Sequence, residues 1–564
     1  MRRSATSIVL SACTVLTVAD KGFELLFEDA LAEYEGATPL VFDRPDAVPP
    51  YLNGSFAQTG PGRWCWGSRC MTHALDGYSK LHAFTFSPPS SASPALVTFR
   101  SKFLRSGFWE HSSKANDIVF NVMAQACVPP LNPGLKAFTS ATNDNNNVNI
   151  YKLGQSIELL SDTPTAVHIS LQTLNSTYEY NGMVCDVGFP CSKISGLKSP
   201  LFQMAVGASA HPFRLPNGDY LGLAESANVM YKEAAAEAGF VREGAGADGG
   251  VDGLFDETFR LYRRGSATPA VAEEFASVPV KKSSYAHSFG LSKDGTAIGD
   301  GAMHAVIIEQ PLHYNMLGLM RTGTLQAGFV SPPTDNTRFH VTPVTGGGEP
   351  ITIEGPRFFF GHVVNTFSRG DGKYTIDVNA QDQIFFDRYS LDVLRNKTRR
   401  DEWPARNGYM AIMRYELDTT ARTLSVKPLF STSATNIAHE LDLFKLHPSD
   451  EGVPYCGFWA WQAFYNSTSF ASWAIVRVEL CGAKPAVIAA WHRPNVYPGE
   501  PTFVPVPGSA DRTEGTIMFK TLDGSTGLSH LVLCDAKTLK TKSEAVLPVR
   551  VPFTVHGGWF PKDA

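Results

Sequence analysis

The stretch FFFGHVVNTFSRGDGKYTIDV, residues 358–378, holds two apolar runs joined by a glycine-rich turn. Phe, Val, Ile and Tyr suit a pleated, largely buried surface, and RGDGK at 369–373 supplies the residues that turns favour. Together they read as a β-hairpin. The same grammar recurs along the chain. PNGD at 216–219, KDGT at 293–296 and LDGST at 522–526 mark further turns, while HAVIIEQ and HLVLCD read as strands. Strands at short spacing argue for an all-β sandwich, barrel or propeller. For 564 residues with no obvious linker, a propeller is the simplest single-domain answer, because radial blades leave short edges and accept insertions. The clearest helix, NVMYKEAAAEAGFVREG at 228–244, reads as one such insertion.

Composition narrows the function classes. A formal net charge of −5 and the lack of any basic run give no electrostatic reason to expect nucleic acid. The nine cysteines are scattered and form no C-x-x-C, so they are expected to be reduced, buried, small apolar residues. Residues 1–20, MRRSATSIVLSACTVLTVAD, read as a targeting segment of secretory or organelle type or as a disordered N-terminus. An ordinary N-terminal strand is the competing reading. No later stretch reaches the roughly 18 uninterrupted apolar residues that cross a bilayer as a helix.

Of fifteen histidines, four share one kind of setting: ASAHPF (His211), SYAHSF (His287), FFGHVVN (His362) and FTVHGGWF (His556). Each is preceded by small, apolar or β-branched residues and followed closely by aromatic or β-branched ones. They are 76, 75 and 194 residues apart, about one, one and two-and-a-half repeat lengths. If each sits on the innermost strand of a different blade, all four imidazoles face the axis. Neutral imidazole is a good ligand for Fe, Cu, Ni or Zn. A histidine beside apolar residues is more often a hydrogen-bonded core residue, and spacing alone leaves both readings open.

From about residue 36 to its end, the chain resembles the carotenoid cleavage oxygenases, which include carotenoid and stilbene dioxygenases and the retinoid isomerohydrolase. VPPYLNGSFAQTGPG and HALDGYSKLHAF look like the family's opening segments. SAHPFRLPNGDYLG, YAHSFGLSKDG, VIIEQPL, FGHVVNTF, GEPTFVPVPG and VPFTVHGGWF follow in the family's order. The resemblance implies a seven-bladed β-propeller over residues 21–564, with helical and loop insertions over the face bearing the active site. It implies a non-haem Fe(2+) on the axis held by His211, His287, His362 and His556. It also implies carboxylates behind the histidines: Glu500 in the EP.FVP motif and Glu440 in AHELDLF. The third position departs from the family's glutamate. The matching stretch, ELLSDTPTAV, offers Asp162, one methylene shorter, with Glu158 as a weaker substitute.

The chemistry implied is attack of O2 on a conjugated double bond of a carotenoid or apocarotenoid, giving two carbonyl products. Stilbene cleavage, isomerohydrolase chemistry and a non-catalytic propeller scaffold are the alternatives. The stretch 309–329 matches the region with which the family touches one membrane leaflet, which implies peripheral membrane association there; a buried helix packing on the propeller face is the competing reading. Plastid, cytosol and a secretory route all remain open.

Overall fold

The computed structural model describes residues 20–89, 95–131, 144–163, 165–176, 203–228, 257–266, 268–280, 282–293, 303–315, 318, 324–344, 348–430 and 440–562. The N-terminal segment 1–19 and all but the first residue of the stretch 228–244 lie outside those ranges. Among the described residues, seven antiparallel sheets of three to five strands form the blades of a propeller. One blade joins the two ends of the chain. Its strands run in the order Tyr34–Pro39, Leu96–Phe103, Tyr78–Ser87, Gly54–Arg63 and Gly557–Pro561. The C-terminal strand pairs from Gly54↔Pro561 to Gln58↔Gly557. That pairing closes the ring and removes an open edge.

The other sheets each offer one edge strand to the axis. These are Asn149–Leu153, Gln203–Ala208, Gly290–Lys293, Phe359–Gly370 and Leu441–Lys445, with Val496–Pro498 and Thr502–Pro505 sharing the last place. A cavity of 460 Å³ runs between them, lined by residues such as Asn149, Phe289, Val364, Lys445 and Gly557.

Blade packing explains why the strands read as continuously apolar. In Met303–Glu309, Val306 and Ile308 pack with Phe339, Ile353, Tyr374 and Ile376 on one side. Ala305 and Ile307 pack with Leu221, Leu261 and Val278 on the other. Both faces of a blade are covered by neighbouring blades, so neither face needs polar residues. Each fully buried Val or Ile contributes about 1.5–3 kcal/mol, and the ring is held mainly by these seams.

One sequence expectation is corrected here. Cys65–Cys70 and Cys456–Cys481 form disulfides, while Cys127 and Cys534 are buried thiols. Strand pairing is the reason. Cys65 lies directly opposite Cys70 in a short hairpin, and Leu480 donates to the carbonyl of Cys456 across the edge of another sheet. In the 309–329 stretch, residues 316, 317 and 319–323 lie outside the described ranges. The described Leu312, Tyr314 and Leu325 are buried in the largest apolar core, so those three face protein and not a lipid leaflet. Among the described residues no helix is long and apolar enough to cross a membrane.

The HALDG segment has a structural task. His73 is fully buried; its Nδ1 accepts from the Leu75 amide at 3.3 Å and its Nε2 donates to the Phe386 carbonyl at 2.8 Å. Only the neutral tautomer does both, and burial pushes its pKa down to about 4 against the Phe386 bond. Between pH 6.5 and about 4 the unfolded chain therefore binds a proton that the folded chain refuses. Stability falls as pH drops through that window and levels off below it. This histidine accounts for about 3 kcal/mol of the loss. Urea midpoints followed by tryptophan fluorescence at pH 7 and pH 4.5 should show a flatter pH dependence for His73→Gln. An unchanged slope would remove His73 as its source.

Candidate metal centre

The small and β-branched residues around each histidine place all four at the ends or bends of axial strands. His211 follows Gln203–Ala208, and His287 precedes Gly290–Lys293. His556 immediately precedes Gly557–Pro561. His362 lies within Phe359–Gly370, where the register slips between Phe360 and Val363. A bulge of this kind re-aims a side chain. The amides of Gly361 and His362 donate to Asn379 Oδ1 at 3.3 and 2.8 Å, so the bulge leaves neither of these N–H groups unmet.

The side chains converge. Nε2 of His287 lies 3.0 Å from Nε2 of His211 and 3.0 Å from that of His362, which lies 3.1 Å from that of His556. The four donor atoms fall within 4.8 Å of one another. Five of the six ring pairs have centroids 4.6–4.9 Å apart, while His287 and His556 stand opposite at 6.3 Å. One pair therefore stands across the cluster and the other five are adjacent.

Three distal ring nitrogens are locked by carboxylates. His287 Nδ1 donates to Asp162 Oδ1 at 2.7 Å, His362 Nδ1 to Asp442 Oδ1 at 2.6 Å, and His556 Nδ1 to Glu500 Oε1 at 2.8 Å. Such bonds fix the tautomer with its proton on Nδ1 and leave the Nε2 lone pair free. Among the described residues no carboxylate bonds His211; Asn149 Nδ2 stands 3.4 Å from its Nδ1. Burial, reinforced by the other three imidazoles, holds His211 well below the ordinary histidine range. Burial likewise pushes His556 down to about 4, outweighing Glu500. His362 is pushed down by burial but ends above its ordinary value, because Asp442 outweighs it.

Locked acceptors at about 3 Å are the test of fit. Three neighbouring pairs of Nε2 atoms face each other, and a single proton on His362 satisfies only one such contact. A cation about 2.1 Å from each nitrogen satisfies all of them, since right-angled bonds of that length set adjacent nitrogens about 3 Å apart. The donor set fits a divalent transition metal.

The carboxylates differ in part from the sequence expectation. Asp162 stands behind His287, its Oδ2 also accepting from the Tyr285 hydroxyl at 2.8 Å. Glu500 is held three ways: by His556, by the Gly557 amide at 2.8 Å, and by Lys445 Nζ at 3.1 Å. Glu440 is a correction. It pairs with Arg388 at 2.6 Å and accepts from the Met410 amide, and the carboxylate behind His362 is Asp442. Strand alternation alone would point residues 440 and 442 the same way, but Glu440 has φ 59 and Leu443 φ 53. With the register slip between Asp442 and Lys445, these left-handed turns send the two acids to different sites. Asp442 Oδ1 also accepts from Asn379 Nδ2 at 2.8 Å and the Leu443 amide at 2.9 Å. Burial opposes its charge, yet His362 and these bonds hold its carboxyl below the usual range. Sequence reading passed over Asp442, Asn379, Lys445 and Tyr285. The available signal was the aspartate two residues beyond Glu440, of the same kind as Asp162. Glu158, the weaker substitute, is spent on a buried bidentate pair with Arg264 at 2.7 and 2.8 Å.

Gly557 is required by a close approach. A Cβ there would stand 2.4 Å from the Ala57 carbonyl, so only glycine lets the closing strand carry His556 this near its neighbour.

Two cavities meet at this cluster. The axial one touches His211, His362 and His556. The other, 90 Å³, touches His287 and His362 and is walled chiefly by apolar and aromatic residues, including Tyr285, Trp461, Trp473 and Phe553. Its cover comes from the 3-10 turn Phe386–Tyr389 and the helix Leu391–Leu394, which contribute Arg388, Tyr389 and Leu394.

Known proteins resemble the chain over nearly its whole length. The carotenoid-cleaving dioxygenase, mitochondrial, of Macaca fascicularis is 25% identical over 554 residues, covering 91% of this chain and 90% of that protein. The chloroplastic carotenoid cleavage dioxygenase 8 of Arabidopsis thaliana is 24% identical, covering 92% and 82%. The beta,beta-carotene 15,15'-dioxygenase of Rattus norvegicus is 23% identical, covering 93% and 90%. Among solved structures, cobalt-substituted Synechocystis ACO superposes with a TM-score of 0.70 at 18% identity, covering 96% and 98%, a likeness of fold. The family model described as retinal pigment epithelial membrane protein matches residues 33–561, and the chain belongs to that family, the carotenoid oxygenases.

Proposed function

We propose that the protein is a non-haem Fe(II) dioxygenase that cleaves a conjugated double bond of a carotenoid or apocarotenoid into two carbonyl products. One observation carries this reading: four imidazoles converge with three Nδ1 protons locked, leaving their Nε2 lone pairs directed inward at one point. Iron, when bound by His211, His287, His362 and His556, supplies the O2 activation. The rest is the work of the chain. Asp162, Asp442 and Glu500 keep the Nδ1 protons in place, so the Nε2 atoms stay available. Four neutral imidazoles leave the ion's full charge uncancelled, and the carboxylates behind them offset it from a distance. The aromatic walls of the smaller cavity keep water away from His287 and His362 and give the cluster an apolar approach. The two disulfides among the described residues favour an oxidising compartment, and thus the secretory reading of residues 1–20 over plastid or cytosol.

The test is direct. Purified protein should hold about one iron per chain and, under O2, convert β-carotene or an apocarotenal into two carbonyl fragments identified by mass. Resveratrol serves as the discriminating substrate. Its cleavage in place of the polyenes would move the assignment to the stilbene branch, and protein that takes up no iron would return it to a scaffold.

A further inference from the structure

Inward-facing lone pairs repel one another until a cation arrives, yet three neighbouring pairs of Nε2 atoms stand only 3.0–3.1 Å apart. Strand ladders do not supply that restraint, because the four ligand segments belong to four different sheets. Three buried side chains do cross from one ligand segment to the next. The Ser209 hydroxyl accepts from the His211 amide at 3.1 Å and donates to the His287 carbonyl at 2.8 Å. The Ser288 hydroxyl, next in the chain to His287, accepts from the Val363 amide at 3.0 Å and donates to the Gly361 carbonyl at 2.8 Å. It thus grips the bulge on both sides of His362. Gln310 Nε2 donates to the Tyr285 carbonyl at 2.8 Å, while its Oε1 accepts from the Phe360 amide at 3.2 Å. Every one of these bonds falls on a ligand or within two residues of one.

We propose that Ser209, Ser288 and Gln310 are positioning residues, a hydrogen-bonded collar that holds His211, His287 and His362 at metal distance before the metal binds. This role rests on the four-histidine centre and not on the substrate assigned to it. The residue types suit the task. A hydroxyl donates and accepts at one oxygen, and a carboxamide does so at the two ends of a rigid plane. Neither carries charge, so the bridges leave the field at the ion to the carboxylates. The cost of crowding the imidazoles is then met by folding, and the ion finds a site already assembled. His556 is held separately, its amide bonded to the Val148 carbonyl at 3.1 Å and its Nδ1 to Glu500 at 2.8 Å.

Apoproteins of Ser209→Ala, Ser288→Ala and Gln310→Met should be titrated with Co2+ beside wild type and Trp491→Phe. Trp491→Phe is the control for an ordinary lost hydrogen bond. It removes the 3.0 Å bond from Nε1 to the Thr541 hydroxyl, between the outermost strands of two sheets. Co2+ serves as the probe because its visible absorption follows coordination geometry. Each collar variant should bind Co2+ about 10-fold more weakly, the low end of the range for partners behind a ligand, with a visible spectrum of altered shape. The control should lower Tm and leave affinity and spectrum at wild-type values. The serine variants lose a single oxygen each, so they report even if Gln310→Met fails to fold, and circular dichroism checks all of them. Collar variants that melt earlier yet keep the wild-type Co2+ affinity and spectrum overturn the proposal, since their bonds would then serve stability alone. An equal loss in the control overturns it too. Wild-type apoprotein that takes up no Co2+ removes the centre and the collar's role together. No turnover is read, so a failure of the dioxygenase reading leaves this test standing.

Discussion

His362→Ala should strip the protein of iron and abolish turnover while leaving the propeller folded. This imidazole is the hub of the cluster. Its Nε2 lies 3.0 Å from that of His287 and 3.1 Å from that of His556, and its ring borders both cavities. Without it, three donors remain and the opposite pair loses the member between them. Removing a partner behind a ligand typically lowers metal affinity or activity about 10–100-fold, so removing a ligand should cost at least about 100-fold. The fold has no such dependence. Asp442 keeps its bonds from Asn379 and the Leu443 amide, and the strand around residue 362 is buried between apolar seams. Iron per chain by elemental analysis, turnover, and far-UV circular dichroism check the three parts. A folded variant retaining a full complement of iron would dismiss the four-histidine centre.

The second large effect separates two acids that lie two residues apart. Asp442→Asn should weaken iron binding about 10–100-fold, whereas Glu440→Gln should leave iron per chain at the wild-type level. Asparagine keeps Oδ1 as an acceptor but removes the charge that supports His362 Nδ1–H at 2.6 Å. Glu440 touches Arg388 and the Met410 amide and no histidine of the cluster. Iron titration of apoprotein from each variant measures the difference. Equal losses would mean that charge anywhere near the cavity matters, and not the bond to His362. The comparison also bears on Asp162, where an aspartate again reaches its histidine, here with the Tyr285 hydroxyl on its second oxygen.

Much of this was legible in the sequence for a physical reason. Strands buried on both faces leave unbroken apolar runs, as in HAVIIEQ, and turns between them need Gly, Asn and Asp, so an all-β architecture can be read locally. The four histidines share a small, apolar setting that made them candidates, and the family resemblance singled them out as ligands. Glu500 and Asp162 followed from motif position. Asp442 did not. Its role depends on the left-handed backbone at Glu440 and Leu443 and on a register slip, which set the direction of side chains without changing their identity. The disulfides were hidden likewise, since Cys456 and Cys481 become neighbours only when their strands pair.

The sequence by itself determined an all-β architecture, because periodicity and composition record burial, and its resemblance to a known family implied the closed ring and the four histidines at its hub. Only the tertiary structure decided which carboxylate serves which imidazole. That outcome depends on backbone direction over a few ångströms, and residue order along the chain does not encode it locally.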